Sequence, residues 1–247
     1  MKNLIDINSN TLRQILVKCL TLVLIGSGLT ACKNPSDYIS SADRNEIITV
    51  GDSIFDKSGE LQVFLEQHAG QTFRRYTQGG SYLASSAGST PIVQQYADAK
   101  ADDANIETVV MNGGGNDIMV PAALVDTYKC RTPWYRPNLS DQCKSYIDEL
   151  YIDTVNLLNT MAADGVSDVV YLGYYHPKGL FSNLAKAVDY GNLRIQDACA
   201  NSVVNCTFVE SRSIITPNDI ISDGLHPTTI GSQKLADLIW PSLQALL

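Results

Sequence analysis

The sequence lacks the patterns of several common protein classes. It contains no Gly-x-x-x-x-Gly-Lys-Ser/Thr motif, and the glycines at residues 113–115 do not continue as Gly-x-Gly-x-x-Gly, so a nucleotide-binding loop is not indicated. Basic residues number 18 against 26 acidic ones, and the net charge of −8 argues against attraction to nucleic acid or anionic lipid. It also has no Cys-x-x-Cys pair, and we expect neither a metal nor an organic cofactor.

The apolar stretch near the N-terminus is too short to cross a membrane. It covers residues 19–29, and Lys2, Arg13 and Lys18 lie before it. Basic residues followed by a short apolar segment are typical of a signal peptide, whereas a membrane-spanning helix needs about 20 apolar residues. We therefore interpret residues 1–31 as a signal peptide.

The four residues Leu-Thr-Ala-Cys at positions 29–32 resemble the lipobox of bacterial lipoproteins. The resemblance implies cleavage before Cys32 and lipid attachment to that cysteine, while a simple signal peptide cut nearby is the alternative. Lys33 follows, and in Gram-negative bacteria a residue other than aspartate there permits export to the outer membrane. We expect a lipid-anchored envelope protein on the outer membrane, facing the periplasm or the surface, with residues 32–45 as a polar tether.

Removal of the predicted signal peptide leaves 216 residues, which suits one domain with a sizeable core. The removed segment carries three basic residues and one acidic residue, so the net charge becomes −10. We expect a monomer in which residues 46–247 form a single domain.

Four of the six cysteines lie within the predicted domain. Cys130 and Cys143 are separated by 12 residues, and Cys199 and Cys206 by six. Two local disulfides in an oxidising compartment are the natural pairing. A metal site is the alternative, but no histidine cluster lies near these cysteines in the sequence.

Short apolar runs alternate with segments of helical periodicity in the predicted domain. Continuous apolar strands connected by helices are typical of a parallel sheet that is covered on both faces. We therefore predict an α/β fold, a three-layer α/β/α sandwich with a five-stranded parallel sheet. The predicted strands are 47–51, 72–77, 107–112, 168–174 and 206–210, and the predicted helices are 58–69, 91–102, 146–164, 184–201 and 229–246.

A serine follows the first predicted strand almost directly. Ser53 stands after Gly51 and Asp52, and α/β proteins bind ligands beyond the carboxyl ends of their strands. A serine hydroxyl is a weak nucleophile at neutral pH, so it needs a base for its proton and donors for the oxyanion that forms. Ser53 is therefore a candidate nucleophile, with a helix N-cap as the alternative role.

The chain has only three histidines from which a base could come. His68 lies in the predicted last turn of a helix, where a cation suits the helix dipole, and His176 follows the fourth predicted strand as a structural or pocket-wall residue. His226 has Asp223 three residues earlier, so the carboxylate can reach Nδ1 and leave Nε2 free for a serine. An ordinary turn before the last helix is the alternative for this pair.

Candidate oxyanion donors follow the same strand ends. The backbone amide of Ser53 is one, and the side-chain amide of Asn116, after the third predicted strand, is another. A third donor could come from Gly79 or Gly80, where a missing side chain lets substrate approach the backbone.

Four short motifs together resemble the SGNH hydrolases, also called the GDSL esterase/lipase family. Gly-Asp-Ser-Ile at residues 51–54 resembles their Gly-Asp-Ser-Leu block, and Gly80 resembles the glycine of their second block. Gly-Gly-Asn-Asp at residues 114–117 resembles their Gly-x-Asn-Asp block, and Asp-Gly-Leu-His at residues 223–226 resembles their Asp-x-x-His block. The match extends over residues 47–227.

The resemblance implies a flavodoxin-like sheet and a set of site residues. Ser53 would be the nucleophile, His226 the base and Asp223 the residue that orients the base. The amides of Ser53, Gly80 and Asn116 would be the oxyanion donors.

A long segment, residues 118–145, follows the third block and should overhang the site. Trp134 and Tyr135 within it could form a substrate-binding wall together with His176, or the segment could be a surface loop held by a disulfide.

The reaction that these features predict is hydrolysis of an ester or thioester through an acyl-enzyme on Ser53. A membrane anchor favours lipid or fatty-thioester substrates, and an aromatic wall favours removal of acetyl groups from a glycan. A catalytically idle, surface-tethered binding protein is the alternative outside enzymology.

Overall fold

Five parallel strands form the centre of the structure, a computed structural model that describes residues 38–247. The predicted signal peptide and Cys32 lie outside the described residues. In the sheet the strands lie in the order β2-β1-β3-β4-β5, and every neighbouring pair is parallel. They are β1 (Arg44–Val50), β2 (Phe73–Arg75), β3 (Thr108–Met111), β4 (Asp168–Leu172) and β5 (Asn205–Val209).

Seven α-helices connect and follow these strands in the described part of the chain. They are α1 (Ser53–Asp56), α2 (Glu60–Ala69), α3 (Ile92–Asp102), α4 (Gly115–Leu124), α5 (Asp141–Ala163), α6 (Ala185–Asn201) and α7 (Thr229–Gln244). Two 3₁₀ turns, Gly179–Leu184 and Pro217–Asp219, precede α6 and α7. None of the helices within residues 38–247 is both long and apolar enough to cross a membrane.

The sheet is buried on both faces because alternate residues of its central strands are apolar on each side. Val109 packs with residues of α3, α5 and α6 on one face, and its neighbour Val110 packs with residues of α2 and α7 on the other. The predicted three-layer α/β/α sandwich with a five-stranded parallel sheet is therefore confirmed.

Two helices were not predicted from the sequence. The first is α1, a single turn that begins at Ser53. The second is α4, which occupies the start of the segment that we expected to be a long loop, and α5 begins at Asp141, five residues earlier than predicted. The overhanging segment is therefore limited to about residues 125–140. Pro121 inside α4 hid the helical pattern, since proline is normally a helix breaker.

The predicted tether also differs from the structure. Arg44 and Asn45 already belong to β1, and Ile39 exchanges two backbone hydrogen bonds with Arg75 of β2, at 3.0 and 2.8 Å. Residues 38–45 are thus bound to the domain, and the domain begins earlier than residue 46.

Both predicted disulfides are present. Cys130 is bonded to Cys143 in the first turn of α5, and Cys199 of α6 is bonded to Cys206 of β5. The first bond attaches the overhanging segment to α5, and the second attaches the edge strand to α6.

The strand order changes direction between β1 and β3, which is where this sheet topology binds ligands. The ends of these two strands are joined by polar side chains. The amide of Asp52 donates to Oδ1 of Asn112 at 3.0 Å, and Nδ2 of Asn112 donates back to Oδ1 of Asp52 at 2.8 Å. Gly51 permits this approach, because a Cβ there would lie 2.1 Å from Oδ1 of Asn112.

Asp52 is a buried carboxylate, only 2% exposed, with hydrogen-bond donors around both oxygens. Its Oδ1 also accepts the amide of Ile54 at 3.0 Å, and its Oδ2 accepts the hydroxyl of Tyr174 at 2.6 Å. Burial, together with the nearby charge of Asp52, raises the pKa of Tyr174 well above its ordinary value, so the phenol keeps its proton and remains a donor.

Replacement of Tyr174 by Phe should destabilise the fold, because it leaves one oxygen of a buried carboxylate without its donor. We expect a loss of about 1–3 kcal/mol in the free energy of unfolding, measured by urea denaturation. Tyr135→Phe is the matched control, since Tyr135 is 71% exposed. Equal unfolding free energies for the two variants would contradict the role given to this hydroxyl.

Candidate active site

Ser53 is the first residue of α1 and points its hydroxyl at a histidine. The N-cap of α1 is Asp52, whose side chain accepts the amide of Ile54, so Ser53 does not have the capping role considered as its alternative. The Oγ of Ser53 lies 2.8 Å from Nε2 of His226, although the two residues are 173 positions apart in sequence.

The turn before α7 orients His226 through Asp223. Oδ2 of Asp223 lies 2.7 Å from Nδ1 of His226. Oδ1 of Asp223 accepts the backbone amides of Leu225 and His226, both at 3.0 Å, so the carboxylate also fixes the conformation of the turn. An imidazole held at Nδ1 by a carboxylate presents Nε2 as the acceptor for the serine proton.

Lys57 lies beside this pair and was not singled out from the sequence. Its Nζ lies 2.6 Å from Oδ2 of Asp223 and 3.0 Å from Nδ1 of His226. Burial alone would raise the pKa of Asp223, but the hydrogen bonds from Lys57 and the two amides outweigh it and hold the pKa well below its ordinary value. Lys57 follows α1 directly, and its position four residues after Ser53 is the only feature of the sequence that could have indicated a place near the site.

Asn116 reaches the site from the first turn of α4. Gly114, at a φ of +89°, makes the left-handed turn that starts this helix, a conformation that favours glycine. Nδ2 of Asn116 donates to the carbonyl of Ser81 at 2.9 Å, and its second N–H has no acceptor among the described residues. Asn116 and Ser53 line the same pocket.

The structure distinguishes Gly79 from Gly80, the two alternatives that the sequence offered for the third oxyanion donor. The amide of Gly79 donates to Oδ2 of Asp56 at 2.7 Å, whereas the amide of Gly80 has no acceptor within residues 38–247. A Cβ on Gly79 would lie 3.6 Å from Cβ of Ser53, so this loop runs beside the serine. Gly80 is therefore the better candidate donor, and Asp56, which sequence reasoning missed, holds the loop.

Asp117 holds the other side of the same loop. Its Oδ2 accepts the amide of Leu83 at 2.9 Å, next to the bond between Asn116 and Ser81. Burial raises its pKa to about 6. Neighbouring side chains of α4 thus fix residues 81–83.

A pocket with a cavity volume of about 110 Å³, open to solvent at its mouth, adjoins the serine and the histidine. Besides Ser53 and His226 it is lined by the glycines 113–115, by Asn116 and by side chains of α4, α5 and α6. Most of the surface that lines the pocket is apolar.

The three predicted wall residues are not among those that line this pocket. Trp134 is 91% and Tyr135 is 71% exposed, and their rings contact each other edge to face at 5.7 Å. Nε2 of His176 lies 2.7 Å from Oδ1 of Asp189, and the residues on either side of this histidine, Tyr175 and Pro177, line the pocket. The wall role of Trp134, Tyr135 and His176 thus finds no support in this pocket.

The third histidine also lies elsewhere. His68, in the last turn of α2, contacts Asp237 of α7 at 2.7 Å and stacks on Trp240. Within residues 38–247, no group of three or more His, Cys, Asp or Glu side chains is arranged to hold a metal ion.

Replacement of Lys57 by Met should change the pH dependence of stability. The pKa of Asp223 is lower in the folded than in the unfolded chain, so its charge stabilises the fold above about pH 4, and this contribution is lost as the pH falls through the folded pKa. Without Lys57 the depression is smaller. We expect a loss of less than about 1 kcal/mol at pH 7, since both groups are partly exposed, and this difference should shrink as the pH falls through the folded pKa of Asp223 in the variant, which lies below about 4.

Urea unfolding between about pH 2 and pH 7 measures this difference. Lys144→Met is the control, because it removes the same charge from an ion pair with the fully exposed Asp141. A difference for Lys57→Met that does not vary with pH would contradict the coupling to Asp223.

Comparison with known proteins gave matches at the level of structure. No family model matches the chain, and no curated protein matches its sequence. A protein from Slackia heliotrinireducens assigned to the SGNH hydrolases matches with a TM-score of 0.51 and 18% identity, over 80% of this chain and 97% of that one.

Two esterases of known structure match similarly. Est24, a carbohydrate acetylesterase from Sinorhizobium meliloti, gives a TM-score of 0.55 and 13% identity, over 81% of this chain and 99% of that one. A carbohydrate esterase of family 3 from Talaromyces cellulolyticus gives a TM-score of 0.57 and 16% identity, over 81% of this chain and 96% of that one. With identities this low the likeness concerns architecture, and the chain has the fold of the SGNH hydrolases.

Proposed function

We propose that this chain is a serine esterase of the SGNH hydrolase family, which cleaves carboxylic esters through an acyl-enzyme on Ser53. One observation carries the proposal: an unbroken path of hydrogen bonds from Ser53 to Asp223. Oγ of Ser53 is 2.8 Å from Nε2 of His226, and Nδ1 of His226 is 2.7 Å from Oδ2 of Asp223. The same arrangement performs nucleophilic acyl transfer on several unrelated folds, independently of sequence order.

In the first step Oγ of Ser53 attacks the ester carbonyl carbon, and Nε2 of His226 takes the hydroxyl proton. The carbonyl oxygen becomes an oxyanion in a tetrahedral intermediate. When the intermediate collapses, the bond to the alcohol oxygen breaks, and His226 gives its proton to that oxygen. Asp223 stabilises the imidazolium while it holds the proton.

The oxyanion needs donors that are already in place before the reaction. The backbone amides of Ser53 and Gly80 have no acceptor within the described residues, and Asn116 has an unused side-chain N–H. Such free, fixed donors stabilise developing charge without further rearrangement. Asp56 and Asp117 hold the loop that carries Gly80, and the carbonyl of Ser81 fixes the side chain of Asn116.

In the second step water attacks the acyl carbon of the Ser53 ester. His226 accepts a proton from the water and returns it to Oγ of Ser53 as the second tetrahedral intermediate collapses. The carboxylic acid leaves, and the serine hydroxyl is restored. Every proton transfer in this cycle uses the same imidazole nitrogen.

Removal of acetyl groups from a carbohydrate is a second candidate within the same chemistry. The observation in its favour is that several structural neighbours are named as carbohydrate or xylan acetylesterases. These neighbours are 13–14% identical to this chain, so their substrates serve only as a candidate for it.

We also propose that the enzyme is a monomer anchored in the bacterial envelope through a lipid on Cys32. The lipobox-like residues 29–32 support the anchor, and the two disulfides suit an oxidising compartment. Mass spectrometry of the protein expressed with its native leader tests the lipid: a mass without diacylglycerol would contradict the anchor.

Replacement of Ser53 by Ala should abolish covalent chemistry. We expect a fluorophosphonate probe to label the wild type at Ser53 and not the variant. Hydrolysis of p-nitrophenyl acetate and butyrate should fall by at least about 10³-fold, since the triad acts as a unit. Ser85→Ala, at an exposed serine, is the control and should retain both properties. Equal, slow hydrolysis by all three proteins without labelling would indicate an idle binding protein.

Replacement of Asn116 by Ala should lower kcat by about 10²–10³-fold with little change in KM, because the donor acts on the oxyanion and not on the bound ester. The exposed Asn105→Ala is the matched control. The urea midpoint of each variant shows whether the protein is folded, since Asn116 also bonds Ser81. A folded Asn116→Ala variant with wild-type kcat would exclude this residue as an oxyanion donor.

A further inference from the structure

The pocket beside Ser53 continues away from the catalytic triad between three helices. Ile118 of α4, Ile147 and Leu150 of α5, and Val188, Gly191 and Ile195 of α6 form this inner part. Their side chains are aliphatic or absent. The inner part therefore offers dispersion contacts and a dry environment.

Three polar side chains of the inner part, those of Asn192, Thr154 and Arg194, are engaged with the protein. Asn192 accepts the amide of Tyr174 at 2.9 Å and donates to its carbonyl at 2.7 Å. The hydroxyl of Thr154 donates to the carbonyl of Leu150 at 2.8 Å, and Arg194 bonds the carboxylates of Asp148 and Asp197. A sugar in this space would find few free hydrogen-bond partners for its several hydroxyls, which is costly in a buried site.

The inner part lies between two apolar clusters that do not merge. Ile147, Leu184 and Ala187 belong to a small cluster at the N-terminal ends of α5 and α6, whereas Ile195 belongs to the large core under the sheet. Residues of both clusters line the pocket. Protein interiors are normally close-packed, so an apolar gap here leaves wall atoms without contacts that an apolar ligand can supply.

The gap is also long compared with an acetyl group. Its wall on α6 extends from Ala187 to Ile195, which is about 12 Å along a helix, and its wall on α5 extends from Ile147 to Thr154, about 10 Å. An acetyl group on Ser53 would occupy only the mouth.

We propose that this inner pocket binds the aliphatic acyl chain of the ester, so that the enzyme prefers acyl groups longer than acetyl. The proposal rests on the esterase function and on Ser53 as the nucleophile. The acyl group stays bonded to Oγ of Ser53 while water enters, and a deep apolar pocket suits a group that must be held. The alcohol has to leave after the first step, and such a pocket would retain it.

The test compares two substrate series with the wild-type protein. In p-nitrophenyl esters from acetate to octanoate only the acyl chain grows, and in alkyl acetates from ethyl to octyl only the alcohol grows. Each buried methylene can raise kcat/KM by up to about fourfold, so we expect at least about a tenfold rise from acetate to octanoate. The alkyl acetates should show no comparable rise.

Two variants place bulk inside the pocket. A Cβ on Gly191 would meet only Cδ1 of Ile118, at an ordinary 3.5 Å, so the rest of a leucine at this position projects into the gap. Ala187, one turn earlier on the same wall, gives a second site. Gly191→Leu and Ala187→Leu should each lower the octanoate-to-acetate ratio of kcat/KM by about tenfold or more. The control is Ala200→Leu, on the exposed side of α6, which should keep the wild-type ratio.

The outcomes separate this proposal from the function on which it rests. Fluorophosphonate labelling of Ser53 together with a wild-type preference for acetate would overturn the acyl pocket and leave the esterase intact. A rise in kcat/KM with alcohol length instead of acyl length would overturn the acyl pocket as well. An unchanged octanoate-to-acetate ratio of kcat/KM in both folded leucine variants would have the same consequence. Absence of labelling and of any hydrolysis would remove the esterase itself.

Discussion

The pair of hydrogen bonds between Asp52 and Asn112 is the constraint on which the site depends. It joins the ends of β1 and β3 at the point where the strand order changes direction, and the absence of a side chain at Gly51 lets the two strands' ends approach. Ser53 follows one of these strands and Asn116 the other, so this contact sets the distance between the serine and its distant amide donor. The buried carboxylate has donors on both oxygens, which makes the junction rigid.

Around this junction, separate loops are each held by a carboxylate whose partner is mainly a backbone amide. Asp56 holds Gly79, Asp117 holds Leu83, and Asp223 holds the amides of its own turn. Backbone amides are fixed by the chain, so a carboxylate that accepts them positions a whole loop. Lys57 adds a charge that keeps Asp223 ionised beside the imidazole. The site thus combines a charged, hydrogen-bonded rim with an aliphatic interior.

Much of the architecture could be predicted because its signals are local. The apolar runs that became β1, β3 and β4 are continuous and short, as in a sheet covered on both faces, and the helical stripe around Leu157 marks α5. The spacing of Asp223 and His226 suggested a carboxylate that reaches the ring within one turn. The helix α4 was missed because Pro121 interrupts its pattern, and Trp134 lies outside the residues that line the pocket because aromatic character alone does not place a side chain.

By itself the sequence determined the order of the five strands along the chain, the cysteine pairs and the residue types of a serine hydrolase, because these follow from periodicity and short spacing. Only the tertiary structure decided which glycine amide is free, that Lys57 contacts Asp223, and that the pocket runs between α4, α5 and α6 and not beneath Trp134. Those features depend on contacts between segments far apart in the chain, and the packing of helices on the sheet sets such contacts without leaving a local pattern.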